Sequence, residues 1–308
     1  MKFLHKSVLL SESVDALNVK PDGIYIDCTA GGGGHSAKIL DKLNGGTLIA
    51  IDRDEEALKA CSVRLKGNVK LVHSDFKALN QVLDELGIDK VDGILADLGV
   101  SSYQIDNPER GFSYMASDAP LDMRMDASDT LTASDVVNTY AEDELYKIIR
   151  DYGEEKFAKS IAHNIALERQ KKPLETCGQL VEIIDKSVPH SSRKKGSHPA
   201  KRTFQALRIE VNKELEGIEE FLKDAVERLN PNGRLAVITF HSLEDRAVKQ
   251  SFADFATDCI CPPNLPVCIC NHRAKGSTLT KKPIVPTVQE QADNPRSQSA
   301  KLRVFVKK

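Results

Sequence analysis

YIDCTAGGGGHS, residues 25–36, carries an apolar, extended-looking run straight into four consecutive glycines. Glycine loses more backbone freedom on folding than any other residue, so such a run implies that something passes very close to the chain. A nucleotide phosphate, a dinucleotide and a cofactor without phosphate are the three candidates.

The segments on either side set the fold. Apolar, β-branched runs recur at 23–28 (GIYIDC), 47–52 (TLIAID), 69–75 (VKLVHSD) and 91–99 (VDGILADLG). Helical patterns lie between them at 35–43, 54–65 and 76–86. Strands alternating with helices predict βαβ units, hence an α/β protein with a doubly wound, Rossmann-like parallel sheet. The rhythm stops after Ser102. Helical patterns follow at 141–170 and 177–188, and apolar steps of three and four predict one long amphipathic helix over 202–229. NPNG, 230–233, ends that helix; RLAVITFHS, 234–242, reads as a fifth strand and KLRVFVKK, 301–308, as the last. Residues 1–105 and 206–308 are expected to form the sheet domain, with a helical domain, 106–205, inserted between strands 4 and 5.

The composition, 41% hydrophobic and 29% charged, is that of a globular chain. No apolar run approaches the ~18 residues of a membrane span, and the N-terminus carries no apolar signal core. A cytoplasmic protein without membrane contact is expected. The cysteine count of seven is odd, which argues against a disulfide framework. A net charge of −2 excludes a bulk polycation, so any nucleic-acid contact must be local. Between Lys186 and Arg208 there are seven Lys/Arg and no acid, either a solvated basic loop or a phosphate-binding surface.

A P-loop needs Lys-Ser/Thr after its last glycine, whereas here His35-Ser36-Ala37 follows. Gly32, Gly34 and Ala37 do fit the dinucleotide pattern G-x-G-x-x-A, with Asp52 about 20 residues on. The other strand ends discriminate. Asp27, Asp52, Asp75 and Asp97 each close one of the first four strands, where ligands of open α/β sheets bind. A rim of acids without Lys or Arg suits a cationic ligand with a ribose and an adenine amine rather than a pyrophosphate. S-adenosylmethionine has those groups. Asp52 would accept from its ribose, while Asp97 and Gln104 would face its methionine end. The plainer account is that such acids cap the following helices.

Asp97 also stands where a methyl acceptor would dock. Amino-methyltransferases acting on bases commonly place D/N/S-P-P-Y/F there, and ADLGVSS, 96–102, matches only in its Asp. Hydrogen bonds to Asp97 and the Leu98 carbonyl would localise the lone pair of a cytosine amine. Tyr103, Phe112, Tyr114 and Phe240 are either stacking partners for the base or core residues.

Ten segments together carry a resemblance: HKSVLLSESVDAL (5–17), GGGGHS (31–36), AIDRDEEAL (50–58), DLGVSS (97–102), NPERGFSY (107–114), LDMRMD (121–126), YGEEKFAKSIA (152–162), HPAKRTFQALRIEVN (198–212), FHSLEDR (240–246) and NPRSQSAKLRV (294–304). The chain closely resembles the RsmH (MraW) family of bacterial 16S ribosomal RNA methyltransferases over nearly its whole length. The resemblance implies a Rossmann-like class I methyltransferase sheet and S-adenosylmethionine-dependent N4-methylation of one decoding-centre cytidine. It implies 16S rRNA in the small ribosomal subunit as partner and leaves a homodimer open. By motif, the cofactor-contacting positions are Gly33, Gly34, His35, Asp52, Phe76, Asp97 and Gln104, with Asp97 also catalytic. The family usually has Pro where this chain has Tyr103. Arg193, Lys194, Lys195, Lys201 and Arg202 become candidates for RNA phosphate contact, which would set register rather than sequence. The rival outside enzymes is an RNA-binding ribosome-assembly factor with little turnover; the rival within them is an NAD-linked oxidoreductase.

Two segments stay open. Cys259, Cys261, Cys268 and Cys270 form C-x-C-x6-C-x-C, compatible with a structural zinc site, a loop of unbonded thiols or redox pairing. In FHSLEDR, His241, Asp245 and Arg246 invite a catalytic reading, against a helix start with Ser242 as cap and Asp245 completing a capping box.

Overall fold

The computed structural model describes residues 7–193, 198–262, 267–270 and 272–308. The chain divides into two compact units, 1–99 with 217–308, and 100–216.

The first unit is built on seven strands: β1 (Ile24–Asp27), β2 (Thr47–Asp52), β3 (Val69–His73), β4 (Val91–Asp97), β5 (Leu229–Thr239), β6 (Gly276–Thr278) and β7 (Lys301–Lys307). Their order is β3-β2-β1-β4-β5-β7-β6. The first five run parallel, and β7 lies antiparallel between β5 and β6. Leu48, Ile49, Ala50 and Ile51 are all fully buried, as expected of a parallel strand covered on both faces. The doubly wound, Rossmann-like sheet predicted from the sequence is therefore present. Strand order reverses between β1 and β4, and such a switch point opens a crevice at the C-terminal strand ends.

Three details differ from the prediction. The single helix over 202–229 is two helices, Lys201–Asn212 and Ile218–Arg228. Lys213 (φ 50°) ends the first in a left-handed turn, and Gly217 (φ 74°) starts the second. Apolar spacing continues across this break, so periodicity alone cannot see it. β5 begins at Leu229 and contains NPNG; Asn232 is left-handed, and pairing with β4 shifts between Val91 and Gly93. β6, at three residues, is too short to leave a pattern.

The second unit packs its helices around its own core, including Val136, Ile149, Ile161, Leu180, Ile184 and Leu207. LDMRMD is a staple of this unit. Asn212 Oδ1 accepts from the Met125 amide at 2.7 Å while its Nδ2 donates to the Met123 carbonyl at 2.8 Å. Phe112 belongs to this core, and Tyr114 packs against it, stacked on His198 with ring centres 4.7 Å apart.

Candidate active site

The glycine run follows β1. Gly31 (φ 51°) and Gly33 (φ 73°) occupy left-handed conformations open to glycine at little strain. A Cβ on Gly34 would lie 1.9 Å from Ser7 Oγ, which no side chain tolerates. The close approach is thus partly internal: the segment at Ser7 and Val8 lies against the loop. Leu9 N in turn donates to Glu290 Oε1 at 2.7 Å, tying that segment to the helix Val288–Asp293. Arg64 donates to the Gly32 carbonyl at 2.7 Å from the other side.

The four strand-end acids separate into different jobs, and two of them do not line a rim. Asp27 is fully buried and accepts from Ser36 Oγ at 2.6 Å and the Thr29 amide at 3.2 Å. Burial pushes its carboxyl up to about 6 despite those bonds. Asp75 caps the short turn Phe76–Ala78 through the Lys77 amide at 2.9 Å, the plain capping role. Arg53 lies 3.7 Å from Asp75, so the expected absence of a basic residue here does not hold. Asp52, at the end of β2, accepts from the amides of Gly31 (2.7 Å) and Asp54 (2.9 Å). Burial raises it to about 6.

Asp97, at the end of β4, is held differently. Its amide donates to Thr29 Oγ1 at 2.6 Å, and the next amide, Leu98, donates to the Ile238 carbonyl at 2.9 Å. This pins the backbone while leaving the carboxylate unspent: Oδ1 is buried with no hydrogen-bond partner among the described residues. Burial, then the charges of Asp27 and Glu244, raise its carboxyl well above the usual range. His35 is the neighbour that looks like a counter-ion. Its Nε2 donates to the Val8 carbonyl at 3.1 Å, and burial drops its pKa to about 4, so the ring is neutral near pH 7.

The FHSLEDR reading shifts by one residue. His241 is the cap of the helix Ser242–Phe255, its ring accepting from the Glu244 amide at 3.4 Å. Glu244, not Asp245, completes the capping box, its Oε2 accepting from the His241 amide at 3.3 Å and also from the Phe240 amide at 2.9 Å. Asp245 instead takes Lys301 Nζ at 2.8 Å and Arg303 Nε at 2.7 Å, joining this helix to β7.

Gly33, Gly34, His35, Asp52, Phe76 and Asp97 thus all lie at the C-terminal ends of β1 to β4 or in the segments that follow them. The Phe76 ring is steadied edge-on by Phe221, centres 4.8 Å apart. Gln104 belongs to the second unit, where its Oε1 accepts from Ser101 N at 3.0 Å in a capping box and its Nε2 donates to the Met125 carbonyl at 3.4 Å. Tyr103 shares that helix, Ser102–Asp106, and Phe240 packs on the first unit's core. Ser7, Val8, Thr29 and Glu244 escaped the sequence reading. Thr29 sits inside the opening stretch, two residues after Asp27, and was signalled only by that proximity.

Among the basic candidates, Arg193 donates to the Asp185 carbonyl at 2.7 Å and Arg202 to that of Glu154 at 2.7 Å, while Lys201 is exposed. Lys194 and Lys195 lie outside the described residues. The four clustered cysteines converge in the segment between the helix Ser242–Phe255 and β6.

A model described as the MraW methylase family matches residues 2–308. The chain belongs to the MraW methylase family. A Clostridium botulinum protein named ribosomal RNA small subunit methyltransferase H is 56% identical over 307 residues, with 99% of each chain covered. A Clostridioides difficile protein of that name is 54% identical over 311 residues, covering all of both chains. The doubly wound, Rossmann-like sheet is therefore that of a chain in this methylase family. The donor set fits S-adenosylmethionine, a cation. A partnerless carboxylate oxygen and carboxyls raised by burial are groups that a positive ligand stabilises in their charged form.

Proposed function

We propose that the protein transfers a methyl group from S-adenosylmethionine to N4 of one decoding-centre cytidine of 16S ribosomal RNA. The observation that carries this reading is Asp97 Oδ1, buried and without a hydrogen-bond partner among the described residues, at the switch point of the sheet. Family membership and the small-subunit rRNA methyltransferase names of full-length relatives support it.

When bound, S-adenosylmethionine supplies an electrophilic methyl group. The chain's residues do the rest. The loop Gly33 to His35, Asp52 and Phe76 form the cofactor's seat. Asp97 Oδ1 accepts a hydrogen of the cytosine amine, with the Leu98 carbonyl as the second acceptor, so the nitrogen lone pair is less drawn into the ring. The Asp97 carboxylate then holds the amine's proton as the nitrogen is alkylated. A raised carboxyl is a better proton acceptor than an ordinary one. Lys201 and its basic neighbours bind RNA phosphates. The setting is the cytoplasm, with the small subunit as substrate.

The test supplies methyl-labelled S-adenosylmethionine to small subunits lacking decoding-centre methylation, with wild type and Asp97→Ala in parallel. Label in a single N4-methylcytidine, lost with Asp97→Ala, supports both claims. Label on another atom keeps the cofactor and rejects the acceptor chemistry. No label from a folded, cofactor-binding wild type favours the assembly-factor reading.

A further inference from the structure

We infer that Cys259, Cys261, Cys268 and Cys270 hold one Zn²⁺ ion as a closed tetrathiolate site. Four observations point to it. The first is the sulfur geometry. Sγ–Sγ separations are 3.5 Å for 259–268, 4.0 Å for 261–268, 3.5 Å for 268–270 and 3.8 Å for 259–270. All four sulfurs lie within 4.8 Å of one another. A tetrahedral ion with Zn–S bonds of about 2.3 Å sets its sulfurs about 3.8 Å apart. A disulfide requires about 2.05 Å, and it joins sulfurs in pairs rather than in a quartet.

The second observation is what the segment lacks. No described residue between 253 and 273 is buried. The apolar side chains interleaved with the cysteines point outward instead: Ile260 is 65% exposed, Val267 70% and Ile269 72%. Hydrophobic burial therefore does not gather these thiols. A loop this long with no core of its own needs another constraint.

Third, the site has supporting contacts. The Ile269 amide donates to Cys261 Sγ at 3.4 Å, an outer hydrogen bond of the kind that steadies a metal-bound sulfur. The base of the loop is closed by Lys275 N on the Phe255 carbonyl at 2.7 Å and by Ala274 N on Asp258 Oδ1 at 3.1 Å.

Fourth, the ligand chemistry is uniform. Four soft sulfurs with no carboxylate or imidazole select zinc over magnesium or calcium and leave no open position for water or substrate. Each thiol releases its proton to solvent on binding. The ion's role is therefore structural: it ties the end of the helix Ser242–Phe255 to the approach to β6. Cys28, Cys61 and Cys177 are buried elsewhere and take no part.

The experiment measures zinc, iron and copper by mass spectrometry in the untagged full chain, expressed with zinc supplied and passed over a mild chelator. About one zinc per chain is expected in the wild type and in Cys177→Ala, and almost none in Cys261→Ser/Cys268→Ser. Because that double variant could misfold, the wild type is also titrated with a mercurial thiol reagent beside a zinc indicator. Zinc release in step with modification of four thiols supports the site. Cobalt exchange should give the thiolate charge-transfer bands of a tetrahedral site. A zinc-free wild type whose four clustered thiols react freely overturns the inference. So does zinc retained by the double variant, or iron in its place.

Discussion

His35 Nδ1 faces Asp97 Oδ2 across 3.8 Å, and both atoms carry lone pairs. The proton of the neutral ring is on Nε2, committed to Val8, so the histidine does not neutralise the carboxylate. The separation is also too long for a hydrogen bond. Asp97 is thereby left for a ligand cation or an acceptor amine.

The kcat/KM for the cofactor, which reports the ligand-free enzyme, should rise with pH as Asp97 ionises above the ordinary carboxylate range, because only the ionised carboxyl accepts a proton. Asp97→Asn should lower kcat about 10²–10⁴-fold, the usual span for losing a general base, while S-adenosylhomocysteine still binds. In His35→Asn the acid limb should persist, since His35 titrates near pH 4. A limb that disappears with His35→Asn would assign it to the wrong residue.

Gly34→Ala places a methyl group 1.9 Å from Ser7 Oγ. Overpacking of this kind is expected to destabilise the loop by about 1–3 kcal/mol, weakening cofactor affinity roughly tenfold or more. Ser7→Gly in the same chain removes the obstacle and should restore much of the affinity. Isothermal titration with S-adenosylhomocysteine reads both, and failure of the second change to rescue would mean that the glycine is needed by the ligand itself.

The buried Asp27 makes the ligand-free protein sensitive to mild pH. Its carboxyl is raised from 3.8 to about 6, so the folded state binds the proton more tightly than the unfolded one. That contribution is complete below pH 4 and is lost as pH rises through 6, amounting to about 3 kcal/mol. Asp27→Asn should flatten stability over that window in urea titrations. A residual slope is expected, because Asp52 is raised similarly.

Asp245 bridges Lys301 and Arg303 with only 12% of its side chain exposed. Its carboxyl is raised by burial but more strongly lowered by those two partners, so its contribution fades as pH falls. Asp245→Ala leaves the largely buried Arg303 without this partner, while Lys301 can turn to water, and should destabilise the protein by about 1.5–3 kcal/mol. Methyl transfer per folded molecule should stay near wild type. A selective loss of turnover would return this residue to the chemistry.

Much of this architecture was legible from residue pattern. The parallel strands announced themselves because burial on both faces demands unbroken apolar runs, as at Leu48–Ile51. The left-handed turn at Lys213 was invisible, since a lysine there carries no breaker signal and the apolar spacing continues past it. Clustering the acids by strand end located the crevice but could not assign their jobs. Asp27, Asp75 and Asp97 look alike in sequence and differ in their hydrogen bonds: Ser36 donates to the first, the Lys77 amide to the second, and no described residue to Oδ1 of the third. The capping box was recognised one residue out of place, because a histidine ring can substitute for the usual hydroxyl at the cap.

The position of β7 between β5 and β6 has a consequence for biosynthesis. Residues 234–239 pair along one side with residues 301–306, which the ribosome delivers some sixty positions later. Until they emerge, β5 presents an open row of amides and carbonyls, a template for pairing with another nascent chain. The vulnerable interval therefore opens after the glycine loop and Asp97 have been made and lasts until residues 301–306 emerge. Conditions that stall elongation between β5 and β7 should raise aggregation more than stalls elsewhere.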